Sequence, residues 1–599
     1  MCGIHVSAKF SPSQIDVNFA SMQLALQRVN AARGPDAQNE YVLSLSAPLT
    51  TPQELEAASL SSGNALSRTL DVTFYASELR LRGDNPIVQP HIREGNVLCW
   101  NGEIFEGIEI TSHENDGSKL FDALCLAKTP EDIRDIFCTI EGPYAFVFYN
   151  DASQHLYFGR DPLGRRSLLI NKPTTKNPYL LLSSVSAGAN PAYDFVEIST
   201  ERIYSLDLTS LRNSIDIFAG FDASLDPISR SSRTPNVLTR FDSPGKVNTA
   251  IALDDIPPAE SLDHIPMHIS QAVDDLISNL DRSVMLQVRD IPRVSLPEGK
   301  ARVGVLFSGG IDSTIITFLA NRHIPLHEPI DLLNVAFENP RKLKIQEEGN
   351  IGGKRIRKAE SRRSEVKTEQ AKIPYSVPDR VTGLEEVEEL RRVCPERTWN
   401  FVEINVPYNE CQAARPIVES LMSPGRTVMD LSLALALYFA SRGQGQIRKF
   451  ASPEYEPYTS EARVLLNGLG SDELLGGYGR HRTVYNNGGW AATIAELQEE
   501  IVRIPTRNLG RDDRVISSHG KETRHPFLSL SLVSFLASLP VHFKMDPRAE
   551  VGLGDKMLLR FAARKIGLVE ASTRKKRAMQ FGSHSARMDG ERRGDVELE

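Results

Sequence analysis

Residues 302–313 read Arg-Val-Gly-Val-Leu-Phe-Ser-Gly-Gly-Ile-Asp-Ser, and no other run limits so strongly what the chain can fold into. Val303 to Phe307 is an apolar strand, Ser308-Gly309-Gly310 breaks it, and an apolar helical pattern resumes at Ile311. A buried strand that turns this tightly into a helix brings glycine N–H groups and the positive end of the helix to one point, which makes a cradle for phosphate. Ser308 and Ser313 add hydroxyls, and Asp312 is placed to hold a magnesium ion against phosphate oxygens. No Lys-Ser/Thr follows, so the loop is not of the Walker type. Ile330 to Phe337 reads as the next parallel strand, completing a strand–helix–strand unit with a right-handed crossover.

The chain of 599 residues has room for two to four domains, and 41% hydrophobic with 24% charged residues is the balance of a globular protein. A net charge of −8 argues against a dedicated nucleic-acid binder and against attraction to anionic membranes. No signal peptide and no run of membrane-spanning length is visible, so the expected location is cytoplasmic. Six dispersed cysteines without a CxxC suggest neither a disulfide framework nor a zinc site, and thirteen histidines include no HExxH. Cys99, Cys125 and Cys138 sit in apolar patterns and read as small core residues.

Cys2 reads differently. Removal of Met1 would make it the N-terminal residue, with its own α-amine, of pKa about 8, as a general base for the thiol. Arg33-Gly34-Pro35-Asp36 reads as a turn, and Asp71 to Leu81 as a strand followed by Arg82 on the face of Arg80. Val97 to Trp100 is a short strand running into Asn101-Gly102-Glu103-Ile104-Phe105, where a side-chain amide and a glycine N–H supply the parts of an oxyanion hole. Glu141 to Val147 and Phe158 to Arg166 read as two further strands with a tight connection. In this order MCGI, RGPD, WNGEIF, EGPYAFVFY and FGRDPLGRR resemble the class II, N-terminal-nucleophile glutamine amidotransferases over about residues 2–190. That resemblance implies an α-β-β-α sandwich, Cys2 as nucleophile, Asn101 and Gly102 as oxyanion donors, and Asp116 on the glutamine α-ammonium group. It also implies an arginine on the α-carboxylate, for which Arg82 is chosen over Arg80. Ser118 stands where the family usually has an acidic residue.

SGGIDS itself resembles the pyrophosphate loop of the ATP pyrophosphatases. A second strand–turn–helix, Val464 to Tyr478 with Asn467-Gly468-Leu469-Gly470-Ser471-Asp472-Glu473, follows downstream. With KETRHPFL at 521–528 and KMLLR at 556–560 it resembles the asparagine synthetase domain over about 260–585, and the whole order is most similar to the asparagine synthetase domain-containing proteins. The resemblance implies an α/β domain with a parallel sheet, ATP and Mg2+ as cofactors, and ATP contacts from Leu306, Ser308, Gly309, Gly310, Asp312, Ser313, Val335, Asn467 and Gly468. Asp312 and Asp472 are the implied metal ligands. Asparagine synthetases carry Gly-Glu-Gly, with a glutamate assigned a base role, where this chain has Leu469, and their Pro-Phe-Leu-Asp ends here in Ser529.

The expected organisation is an amidotransferase domain at 2–205, a linker at 206–260, with the helix of the next domain at Met267 to Val288, and a synthetase-like domain at 261–590. The latter is interrupted by a charged insertion at 338–398 and followed by a frayed tail at 591–599. Within the insertion Lys354, Arg355, Arg357, Lys358, Arg362 and Arg363 form a basic cluster interleaved with glutamates, read as solvated and disordered rather than as a nucleic-acid contact. The expected function is glutamine-dependent, ATP-dependent amide transfer to a carboxylate acceptor, aspartate first among candidates, with no nucleic-acid or membrane partner and a homodimer as the candidate assembly. The alternative is a relative that has lost synthesis and keeps glutaminase or nucleotide binding as a regulatory or interaction module.

Overall fold

The computed structural model describes residues 2–598 apart from 12–16, 49–67, 232–240, 253–256, 294–296, 298, 339–374, 449–453 and 588–594. The first part is built on two six-stranded sheets. Gly3–Ser11 lies inside the first, antiparallel to Arg68–Glu78 on one side and Leu180–Ser183 on the other, so Cys2 enters the fold at the end of a central strand. The second sheet runs in space from Leu225–Ser229 through Arg202–Asp207, His155–Arg160, Tyr144–Asn150 and Asn96–Gly102 to His91–Arg93. Alternate residues of the two sheets, Ile4, Val6, Val72 and Phe74 from one and Val97, Cys99, Val147 and Phe158 from the other, interleave in one dry core. The helix Val17–Ala31 packs Met22 and Leu26 on the outer face of the first sheet. Asp116–Leu126 and Pro130–Thr139 bury Leu120, Phe121 and Phe137 against the second. The layers are therefore α-β-β-α, as expected.

The second part carries a seven-stranded sheet in which Trp399–Val406, Ile330–Phe337, Val303–Leu306, Val464–Leu466 and Glu522–Arg524 are parallel neighbours. An antiparallel hairpin, Gln444–Arg448 with Tyr455–Thr459, extends one edge. The helices Ile311–His323 and Met267–Val288, the latter at the expected bounds, pack Ile315, Leu319, Leu276 and Leu280 into the core on this sheet. Parallel strands end on one side, and both glycine-rich turns open there.

Five expectations need correction. The linker does not begin at 206: Arg202–Asp207 and Leu225–Ser229 hydrogen-bond into the second sheet, and beyond them Phe241 N–H donates to Cys138 O and Asn248 N–H to Ala537 O, pinning the crossing to both parts. The insertion is shorter than 338–398, because Pro378–Val393 is a helix lodged in the core. Its inward face is charged, with Arg380 on Glu403 at 2.7 Å and Glu386 on Arg574 at 2.5 Å, so an apolar pattern could not announce it. The basic cluster at 354–363 lies outside the described residues. The tail is anchored where described, since Val428 N–H donates to Val596 O and Leu598 N–H to Arg426 O. The strand expected over Asp71 to Leu81 runs from Arg68 to Glu78, which leaves Arg80 and Arg82 on the segment beyond it, and Asp161 to Arg166 form the loop after a strand that stops at Arg160. Among the described residues no helix is long and apolar enough to cross a membrane.

Candidate functional site

Cys2 is 6% exposed, and three elements hold it. Its N–H donates to Asn101 Oδ1 at 3.0 Å, Gln89 Nε2 lies 3.4 Å from Sγ, and Arg33 Nε donates to its carbonyl at 3.3 Å. The first contact fixes the orientation of the Asn101 amide, because only its oxygen can accept from Cys2. Asn101 Nδ2 is thereby left buried with no partner among the described residues, an arrangement that ordinarily costs about 1–3 kcal/mol. The next residue must be glycine, since a Cβ at Gly102 would meet Trp100 Cζ2 at 2.6 Å and Tyr144 Cβ at 2.7 Å. A free amide N–H2 at a strand end beside a cysteine is a donor set for an oxyanion.

Asp116 begins a helix capped by Asn115, and its carboxylate accepts from Ile104 N–H at 3.0 Å and from Gly117 N–H at 2.9 Å. Burial pushes its carboxyl up to about 7, the neighbouring Glu103 adds to this, and Arg82 opposes it. The two arginines differ in a way that the sequence could not show. Arg82 is already spoken for, donating from Nε to Glu103 Oε2 at 2.7 Å and from Nη2 to Ile104 O, with Asp290 at 3.7 Å. Arg80 has a buried Nε with no partner among the described residues. The choice of Arg82 as the carboxylate clamp is therefore revised: a guanidinium locked to Glu103 has little to offer a ligand, and Arg80 is the one left open. Glu78, which the motifs did not single out, is buried near Cys2 with Oε2 unpartnered among the described residues, and burial raises its carboxyl to about 7. Burial lifts the Cys2 thiol to about 12, with Glu78 and Asp116 adding to the effect.

In the second part a cavity of about 370 Å³ opens at the strand ends. Leu306, Ser308, Asp312, Ser313, Val335, Asn467, Gly468 and Asp472 all line it, so the two glycine-rich turns face one space. Gly309 has φ +77, and a Cβ there would lie 2.5 Å from Gly383 N, which is why the turn is spelled with glycine. Gly310 caps the helix Ile311–His323, and Ser313 Oγ donates to Gly310 O at 3.1 Å.

Lys556, the first residue of the KMLLR motif and given no role by the sequence, is 1% exposed and sits between the two implied metal ligands. Its Nζ donates to both Asp312 oxygens at 2.7 and 2.6 Å and to Ser471 Oγ at 2.7 Å, and lies 2.7 Å from Asp472 Oδ1. Lys576 bonds the other Asp472 oxygen. Burial alone would raise the Asp472 carboxyl, but Lys556 and Lys576 outweigh it and hold the group well below the usual carboxylate range. Asp312 and Asp472 thus converge on one cation. Two carboxylates beside a glycine-rich turn at a helix N-terminus suit magnesium, which commonly takes one or two carboxylates together with substrate phosphates. Among the described residues no cluster of three or more His, Cys, Asp or Glu forms a metal site on its own. Leu469 lines the same cavity, beside Arg480, Arg507 and Arg511, and is half-buried against the apolar core.

The two sites are joined by a buried seam of alternating charge. Arg82 pairs with Glu103, Glu103 with Arg524 at 3.3 Å, Arg524 with Glu522 at 2.6 Å and Glu522 with Arg166 at 2.9 Å. Arg166 then reaches Asp513 at 3.6 Å, and Asp513 pairs with Arg33 at 2.8 Å, whose Nε holds the Cys2 carbonyl. Asp513 lies on the helix Leu509–Ser517, whose Arg511 and Asp512 line the cavity at the strand ends.

Residues 76–187 match the glutamine amidotransferase domain family, and residues 295–386 with 494–597 match the asparagine synthase family. Asparagine synthetase domain-containing protein 1 of Gallus gallus is 33% identical over 98% of this chain and 98% of its own. The chain belongs to the asparagine synthetase domain-containing protein family. The Homo sapiens member is 36% identical over 86% of this chain and 88% of its own. A glutamine-hydrolyzing asparagine synthetase of Rattus norvegicus stands further off, 22% identical over 75% of this chain and 65% of its own. Family membership supports glutamine-dependent amide transfer at the level of the family and an amidotransferase-like enzyme.

Proposed function

We propose that this protein hydrolyses glutamine at Cys2 and uses the ammonia to convert an ATP-activated carboxylate, aspartate first among candidates, into an amide. The observation that carries the reading is the stranded Nδ2 of Asn101 beside the nucleophile. In the glutaminase half the Cys2 sulfur attacks the side-chain amide carbon and the C–N bond breaks. Asn101 Nδ2 and the Gly102 N–H take the charge on the oxygen, while Arg80 and Asp116 grip the α-carboxylate and α-ammonium groups. The product is a γ-glutamyl thioester, which water hydrolyses to glutamate.

In the rear half the 308–313 loop binds phosphate, and an acceptor carboxylate attacks the α-phosphorus, releasing pyrophosphate. Ammonia then attacks the acyl carbon, AMP leaves, and an amide results. Asp312 and Asp472 would hold magnesium, which when bound offsets the charge of the phosphates. Lys556 neutralises the same two carboxylates in the protein alone and is placed to turn to the phosphates when they arrive. The site is expected to be used in the cytoplasm. Calorimetry tests the binding step: Asp312→Ala is expected to weaken Mg-ATP binding at least about tenfold, by removing one of two magnesium ligands. Unchanged affinity would leave the loop a structural turn.

A second reading is favoured by one position. Leu469 presents a side chain that cannot take a proton where ammonia would arrive. A general base is commonly worth about 10²–10⁴ in rate, so a synthetase without one would be slow and the rear half would serve mainly to bind nucleotide. Leu469→Glu is accordingly expected to raise aspartate-dependent pyrophosphate release. Robust asparagine formation by the wild type, measured by amino-acid analysis, would dismiss this second reading.

A further inference from the structure

The cavity carries a carboxylate that the chemistry above does not use. Asp379 is the second residue of the helix Pro378–Val393, is 6% exposed, and lines the cavity. One turn further, about 5 Å along the axis, Thr382 Oγ1 donates to Ser308 O at 3.2 Å and Gly383 packs on Gly309, so the helix is fixed against the phosphate loop. On its other side the carboxylate rests against Gly582, where a Cβ would come within 1.9 Å of Oδ1. Among the described residues no hydrogen bond reaches this carboxylate, and burial holds it up at about 7 while Arg577 and Lys576 oppose the rise only through space. A carboxylate this deep without a donor is costly, and the space it faces is the cavity.

The surroundings narrow what the missing donor is. Phosphate oxygens are acceptors and repel a carboxylate, so the donor does not come from them. Asn334 Nδ2 donates to the Asp379 carbonyl at 3.0 Å, and the Ser583 carbonyl accepts from Phe337 N–H at 3.0 Å, which sets Asp379 beside the stretch that contains Val335. Here the cavity is walled by Leu306, Leu333, Leu433, Leu437 and Met579, an apolar slot of the kind that takes a planar base. The donors of an adenine nucleoside are its 6-amino group and its ribose hydroxyls. We propose that Asp379 reads the nucleoside, accepting a hydrogen bond from the adenine amino group or a ribose hydroxyl, and so determines which nucleotide this cavity takes. This rests on the ATP reading above.

Calorimetry on the full chain with magnesium, using ATP, ITP, 2′-deoxy-ATP and 3′-deoxy-ATP, separates the cases. The wild type is expected to bind ATP at least about tenfold more tightly than the analogue lacking the donor, ITP if the amino group is read and a deoxy form if a hydroxyl is. In Asp379→Leu, which removes the acceptor that an amide oxygen would keep, that ratio is expected to fall towards one while the other ratios stay put, which a merely structural role would not produce. Equal wild-type affinity for all four nucleotides overturns the inference without any variant, as does a ratio untouched by Asp379→Leu, and in both cases ATP binding itself stands. A wild type that binds no ATP overturns both.

Discussion

Cys2→Ala is expected to abolish glutamine hydrolysis, a loss on the order of 10⁴-fold or more, because no other group can form the thioester. The variant should melt with the wild type, since the change removes one sulfur from a site held by backbone contacts to Asn101 and Arg33. Intact-mass measurement should show that Met1 is absent, leaving the Cys2 α-amine free. The pH profile follows from the same environment. With the thiol raised to about 12 by burial, almost no thiolate exists at neutral pH, so attack depends on the amine accepting the thiol proton. An amine of pKa about 8 does so only when unprotonated, and hydrolysis should therefore climb as pH rises towards about 8. Glutaminase activity that survives in Cys2→Ala would remove the nucleophile from the scheme.

Asp513→Ala should be among the most damaging single changes outside the two sites. Asp513 and Arg33 are both fully buried, and Arg166 leans on the same carboxylate. Removing one partner of a buried pair typically costs about 3–5 kcal/mol, because the remaining charge is left without water or counter-ion. Arg33 also holds the Cys2 carbonyl, so glutamine hydrolysis should fall further than Mg-ATP binding in the folded fraction. Denaturant unfolding followed by fluorescence, with both activities measured in parallel, checks this. A midpoint equal to the wild type's would mean that the pair contributes nothing.

What the sequence revealed and what it hid divide by physical cause. The strand, turn and helix at 302–313 were plain because a buried parallel strand is an unbroken apolar run and the turn needs Gly309 at φ +77. Met267–Val288 was plain for its 3.6-residue apolar spacing. Pro378–Val393 was hidden because it turns Arg380, Glu386 and Glu389 inward onto charged and backbone partners, and a pattern reader takes such residues for a solvated face. The same blindness hid Asp379. Arg80 and Arg82 could not be ranked, since the difference lies in Glu103, which is near only in space. Lys556 escaped because nothing local distinguishes a buried lysine that bridges Asp312 and Asp472 from a surface one.

The charged seam from Arg82 to Arg33 also sets how this protein can vary over time. Each member answers to a neighbour on the other half, as Arg524 does to Glu103 and Arg166 does to Glu522. A lone replacement strands a charge, whereas a matched exchange of partners keeps the tally even. Lineages that drift at these positions should therefore show changes that arrive in pairs from distant parts of the chain, and a graft that joins the front half of one relative to the back half of another should fail unless the seam is carried over as a set.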